Sequence, residues 1–193
     1  MYNLLYEQLS EDNKAKLKTL PICLELYISG RLVRMFHASP DDAWKEVLEI
    51  DRLDDLYNQF LPTKNTSKNI ADVVIYGHTH MQNLMKLYNR TLINVGSVGN
   101  ALDGIRNEKK DGDSRNTTNA DYLIVEGKLN SKEYSDLRFE FVSLKYNIGN
   151  VLKEIENIPE FEKYSKELLT GKYRNINKYK ENFEKSFYDI NNL

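Results

Sequence analysis

A layered α/β arrangement is the fold class this sequence predicts, and three observations predict it. Residues 71–76 form a short, nearly continuous apolar run, the pattern of a strand buried on both faces. Two hairpin patterns flank that run, at residues 22–36 and 83–95. Helical periodicity occurs before, between and after these strands, and that order of elements suits helices packed on sheets.

The opening places Leu4, Leu5 and Leu9 on a helix, and Ser10 is positioned to cap a second helix over residues 11–17, ended by Pro21. Residues 22–29 and 32–36 then read as strands joined by a turn at Gly30-Arg31. Pro40-Asp41-Asp42 starts an expected helix carrying Ala43, Trp44, Val47 and Leu48, and a further short helix includes Leu53, Leu56 and Phe60. After the central strand, residues 83–87 and 91–95 pair around Asn89-Arg90. Residues 103–119 are polar without periodicity and read as a long loop. Strands follow at 121–125 and 136–144, the second alternating Leu137, Phe139 and Phe141 with Arg138 and Glu140. The remainder is helical, with one stripe of Val151, Leu152, Ile155 and Ile158 and another of Ile176, Tyr179, Phe183, Phe187 and Ile190.

The 193 residues carry 27 Lys and Arg against 29 Asp and Glu, a formal charge of −2. That balance lacks the basic excess of a dedicated nucleic-acid binder. With 40% hydrophobic and 29% charged residues, the chain is not disordered throughout. The single cysteine, Cys23, excludes an intramolecular disulfide and reads as a small core residue. No run approaches the ~20 apolar residues of a membrane span, and the N-terminus lacks the basic and apolar regions of a signal peptide. The expectation is a cytoplasmic protein.

The chain contains three histidines, His37, His78 and His80. Each stands at the end of an expected strand or in the loop just after it, where α/β folds gather ligands. Neutral imidazoles suit transition metals, and two histidines separated by one residue can approach a shared metal centre from one loop. Gly77 is expected to give that loop its freedom. Metal binding and ordinary structural roles both remain open on spacing alone.

Val-Ile-Tyr-Gly-His-Thr-His at residues 74–80, followed by Asn-Val-Gly-Ser-Val-Gly-Asn at 94–100, resembles the calcineurin-like metallophosphoesterases, most of all their small bacterial phosphodiesterase and phosphatase branch. Phe36-His37-Ala38-Ser39-Pro40 is similar to the family's His-Gly-Ser-Pro, and the strand from Ala120 and the one ending at Leu144 match its closing strands. The resemblance implies a four-layer α-β-β-α sandwich, incomplete here. Residues 1–147 would be the C-terminal part of the phosphoesterase domain and 148–193 a helical extension on or beside it. It further implies a dinuclear divalent-metal site, manganese first with iron, zinc, nickel or cobalt as alternatives, in which His37 and His78 ligate one ion and His80 the other. Gly77, Asn94, Gly96 and Ser97 would border a small phosphoester substrate.

The family's Asp-x-His, Gly-Asp and Gly-Asn-His motifs have no counterparts before this segment. The expectation is therefore a truncated phosphoesterase, weak or inactive alone, and homo-oligomeric or completed by another polypeptide, because missing strands leave an open sheet edge. A non-catalytic scaffold like the retromer's phosphoesterase-like subunit, or the remnant of a disrupted gene, are the competing readings.

Overall fold

The computed structural model describes residues 2–45, 47, 51–103 and 115–171. The expected stripe at 176–190 and the middle of the expected loop, 104–114, lie outside them. The chain opens with two helices, α1 (Tyr2–Gln8) and α2 (Glu11–Thr19), and the Asn13 amide donates to Ser10 Oγ, so Ser10 caps α2 as expected. A hairpin follows, β1 (Cys23–Ile28) and β2 (Arg31–Phe36). Its turn is Ser29-Gly30, one residue earlier than expected, because those two residues take the positive φ angles (49° and 80°) that match a two-residue turn to strand twist.

The connection onward contains α3 (Leu53–Tyr57) and a 3-10 turn over Asn58–Phe60 before β3 (Val73–Tyr76). A second hairpin, β4 (Gln82–Leu87) and β5 (Arg90–Val95), turns at Tyr88-Asn89, again on two residues of positive φ. The strand order is β1-β2-β3-β5-β4, with β2, β3 and β5 parallel and both outer strands antiparallel. The expected loop is strand-paired at its ends, as β6 (Leu102–Asp103) and β7 (Arg115–Asn116). A two-stranded sheet of β8 (Asn119–Glu126) and β9 (Arg138–Lys145) comes next, then helices α4 (Ile148–Ile155) and α5 (Glu162–Thr170).

Two apolar clusters hold the layers together. Phe36, Leu56, Phe60, Val74, Tyr76 and Leu92 pack between the large sheet and the connection that contains α3. Val33, Val73, Ile75 and Ile93 pack between the two sheets, met by Leu123, Val125, Leu137 and Phe139. All four residues of β3 are buried, the two-faced burial its apolar run requires. The cover is partial elsewhere: Ile22 and Leu24 on the β1 side are 55% and 46% exposed, and Leu144 on β9 is 56% exposed. Helix α5 is tied to the body where Tyr164 Oη donates to the Gly99 carbonyl at 2.7 Å. No helix among the described residues is long and apolar enough to cross a membrane.

The expected helix after Pro40 does not form over residues 41–45. The Ser39 amide and hydroxyl both donate to the Asp42 carbonyl, and the Asp42 amide returns a bond to Ser39 Oγ. These local bonds close a turn that competes with the helix.

The polar centre of the fold is Arg34, a fully buried side chain on β2. It faces Glu25, its cross-strand partner on β1, with a guanidinium-to-carboxylate distance of 2.8 Å. The same guanidinium donates to the carbonyls of Phe60 (2.8 Å), Leu61 (2.7 Å) and Asn69 (2.9 Å), while Glu25 Oε2 accepts from the Ser67 amide at 2.7 Å. One ion pair therefore gathers both ends of the crossover loop. Burial pushes the Glu25 carboxyl up, but the bonds from Ser67 and Arg34 outweigh it and hold Glu25 below its ordinary value.

Removing one member of such a pair strands the other in a water-poor site. Arg34→Ala should cost about 3–5 kcal/mol of stability, with Arg34→Lys intermediate because it keeps the charge and loses the fork. Because the folded-state pKa of Glu25 is depressed, its contribution is present above the unfolded-state value and is lost as pH falls through the folded one. Urea unfolding of the three proteins from neutral to acid pH measures both effects. Equal midpoints for wild type and Arg34→Ala would contradict this role.

Candidate metal centre

The three histidines sit where the parallel strands end. His37 is the residue after β2, and His78 and His80 follow β3. Met35 pairs with Ile75 across these strands, and continuing that register brings His37 beside Gly77, whose amide donates to the His37 carbonyl at 2.9 Å. The two imidazoles meet as a result. His78 Nδ1 lies 3.0 Å from His37 Nε2, and the rings stand edge to face with centroids 5.0 Å apart.

The loop is built at a local energetic cost. His78 and His80 themselves adopt left-handed backbone conformations, φ 69° and 66°, whereas Gly77 does not. The expectation that glycine carries the freedom of this loop is thus corrected. Left-handed non-glycine residues cost on the order of 1–3 kcal/mol each and persist only where the surroundings compel them. Asn94 compels them here. This side chain is 1% exposed, and its amide donates to the Gly77 carbonyl (2.9 Å) and to Thr79 Oγ1 (2.7 Å), while its oxygen accepts from the Gly96 amide (3.0 Å). The Leu102 amide closes the far side on the His80 carbonyl at 3.0 Å. Asn94, expected at the substrate, has its side chain engaged in joining the two loops.

Gly96 and Ser97 form the second loop. Gly96 has φ 82°, and a Cβ there would lie 2.7 Å from Gln82 Cγ and 2.8 Å from Asp121 Cβ, so a side chain cannot be accommodated without movement. The Ser97 carbonyl accepts from the Asp121 amide, and its hydroxyl accepts from the Asn100 amide. Asp121, unnoticed in the sequence because it opens an apolar strand, is buried behind this loop.

The surroundings lower the proton affinity of His37 and His80. Burial lowers the proton affinity of His80, and His78 and His37 lower it further, against an opposing contribution from the Asn100 backbone. Burial, then the neighbouring His78, lowers that of His37. Buried His80 Nδ1 has no hydrogen-bond partner among the described residues. Neutral nitrogens with available lone pairs are what a divalent ion requires. Two nitrogens on one tetrahedral ion, with bonds of about 2.0–2.1 Å, lie about 3.3–3.4 Å apart, somewhat farther than the 3.0 Å between His37 and His78, where one ring nitrogen donates to the other. The fit is partial. Among the described residues no group of three or more His, Cys, Asp or Glu side chains comes together as a metal site.

No family model and no curated protein matches the sequence. Solved structures do resemble the fold. A hypothetical protein from Pyrococcus horikoshii superposes with a TM-score of 0.59 at 17% identity, covering 84% of this chain and 55% of its own. A metallophosphoesterase from Sphaerobacter thermophilus gives 0.52 at 18% identity, covering 86% of this chain and 63% of its own. Vps29 from Entamoeba histolytica complexed with zinc gives 0.35 at 15% identity, covering 63% of this chain and 59% of its own, too distant to bear on function. The chain thus has a metallophosphoesterase fold and spans 55% and 63% of the lengths of the first two structures.

Two glycine comparisons check the loop geometry. Gly96→Ala should lower stability by about 2 kcal/mol or more, while Gly99→Ala, which meets only Tyr164 Oη at 3.6 Å, should change it by less than about 0.5 kcal/mol. His78→Gly should be more stable than His78→Ala by about 1 kcal/mol, because only glycine relieves the left-handed position. Thermal melts of the four variants measure these differences, and equal stability within each pair would refute the geometry.

Proposed function

We propose that this chain is a module of a metal-dependent phosphoesterase that hydrolyses a phosphodiester or phosphomonoester, weakly or not at all by itself. The observation that carries the proposal is the His37–His78 pair, two imidazole nitrogens 3.0 Å apart at the ends of neighbouring parallel strands. His37 and His78 would hold one divalent ion and His80 another, with manganese the first candidate and iron, zinc, nickel or cobalt compatible with the same donors. Such ions supply a water nucleophile and polarise phosphoryl oxygens. The protein's part is positional: Asn94 fixes the loop bearing His78 and His80, the His37 carbonyl anchors Gly77, and the Gly96-Ser97 loop borders the space where a small phosphoester would lie.

Three nitrogens supply fewer ligands than such a centre uses, so further donors are needed for efficient turnover. A second copy of the chain or another polypeptide could bring them. The likeness to a longer metallophosphoesterase supports this reading, as does the open cover over β1. That same uncovered face, with Ile22 and Leu24 half exposed, favours one second reading: a phosphoesterase-like binding module whose partner covers the face.

Calorimetric titration with Mn²⁺, beside hydrolysis of bis(p-nitrophenyl) phosphate and sedimentation analysis, separates the readings. The enzyme reading predicts Mn²⁺ binding lost in His78→Ala, with slow metal-dependent hydrolysis abolished by His80→Ala. Self-association without Mn²⁺ binding would overturn it in favour of the binding module.

A further inference from the structure

Trp44 stands on the loop beside the histidines with 74% of its surface exposed. A tryptophan is a large apolar side chain, and leaving most of it in water forgoes a substantial burial energy. The sequence pattern expects it in a helix core, but the turn at Ser39 and Asp42 holds it out. The loop is anchored at several points. The Trp44 amide donates to Asp42 Oδ1 at 2.8 Å, and Asn65 Nδ2 donates to the Pro40 carbonyl (3.1 Å) and to Asp41 Oδ1 (3.0 Å). The indole thereby meets His78 edge to face, with ring centroids 6.4 Å apart. An exposed aromatic ring, held by a bonded turn next to a ligand-binding cluster, is a stacking surface.

We propose that Trp44 is a substrate-binding platform that stacks on a flat aromatic group carried by the phosphoester, a nucleoside base or an aryl ring. The inference rests on the reading of the histidines as the phosphate end of the site. With the phosphate at His37, His78 and His80, a group extending past His78 meets the indole, whose ring centroid lies 6.4 Å from that of His78. The platform adds affinity for aromatic phosphoesters and none for aliphatic ones. Trp44 is a positioning and specificity residue, and the hydrolytic chemistry does not pass through it.

Trp44 is the chain's sole tryptophan, so its fluorescence reports directly on stacking. With Mn²⁺ present, the chain is titrated with adenosine 5′-monophosphate, phenyl phosphate and ribose 5-phosphate, following calorimetry and, at red-edge excitation, indole emission. Stacking predicts that adenosine 5′-monophosphate binds about tenfold tighter than ribose 5-phosphate and quenches the indole. Trp44→Ala should bring the two affinities together without changing that of ribose 5-phosphate, and Trp44→Phe should restore part of the gap. A preference for phenyl phosphate comparable to that for the nucleotide assigns the platform to aryl groups generally, and a nucleotide-only preference assigns it to bases. Ribose 5-phosphate binding with no aromatic preference, or a preference that survives Trp44→Ala, overturns the proposal and leaves the phosphoester reading intact. If none of the three phosphates binds, the phosphoester reading itself fails and the platform falls with it.

Discussion

Arg34 is the buried charge around which the rest of this structure is arranged. Its guanidinium satisfies three loop carbonyls and one carboxylate, and those bonds close the crossover that returns the chain to the sheet beside β2. A parallel neighbour for β2 requires such a crossover, because no tight turn can connect two parallel strands. The register so fixed sets His37 against Gly77 and brings His37 and His78 together. A buried cation is costly without full pairing, and here every direction of the fork has an acceptor. The histidine end of the fold thus depends on polar contacts remote from it.

Above that frame, the centre is strained and then restrained. Two histidines occupy left-handed backbone positions that a glycine would take more easily, and one buried asparagine supplies bonds on both sides of the loop. Strain of this kind persists only where surrounding structure over-determines it. The burial that lowers the proton affinity of His80 also weakens the competition of protons with a cation. These features describe a preorganised set of imidazoles.

Much of this was legible in the sequence because the signals were local. The apolar run at 71–76 reads as a buried strand in any context, and Gly-His-Thr-His directly after it can only lie at that strand's end. The hairpin turns were each misplaced by one residue, since Ser29 and Tyr88 adopt positive φ without advertising it. Trp44 was misread because periodicity says nothing of the Ser39–Asp42 bonds that cancel the helix. Arg34 was silent for a different reason: an arginine in an alternating strand looks solvent-facing, and its acceptors come from a loop 25 to 35 residues away. Asn94 appeared as part of a site motif, but its work is to join two loops, which only tertiary structure reveals.

His37, His78 and His80 are proposed to bind divalent cations together at the ends of the parallel strands. The chain's three imidazoles give three resolvable sets of ring signals in a proton–nitrogen correlation spectrum, and Mn²⁺ broadens only nuclei close to it. Substoichiometric Mn²⁺ should broaden the His37, His78 and His80 ring signals together while leaving the backbone amide signal of Tyr134, near the opposite hairpin turn, unchanged. Ring signals that stay sharp, or broadening centred on the exposed carboxylates instead, would contradict the claim.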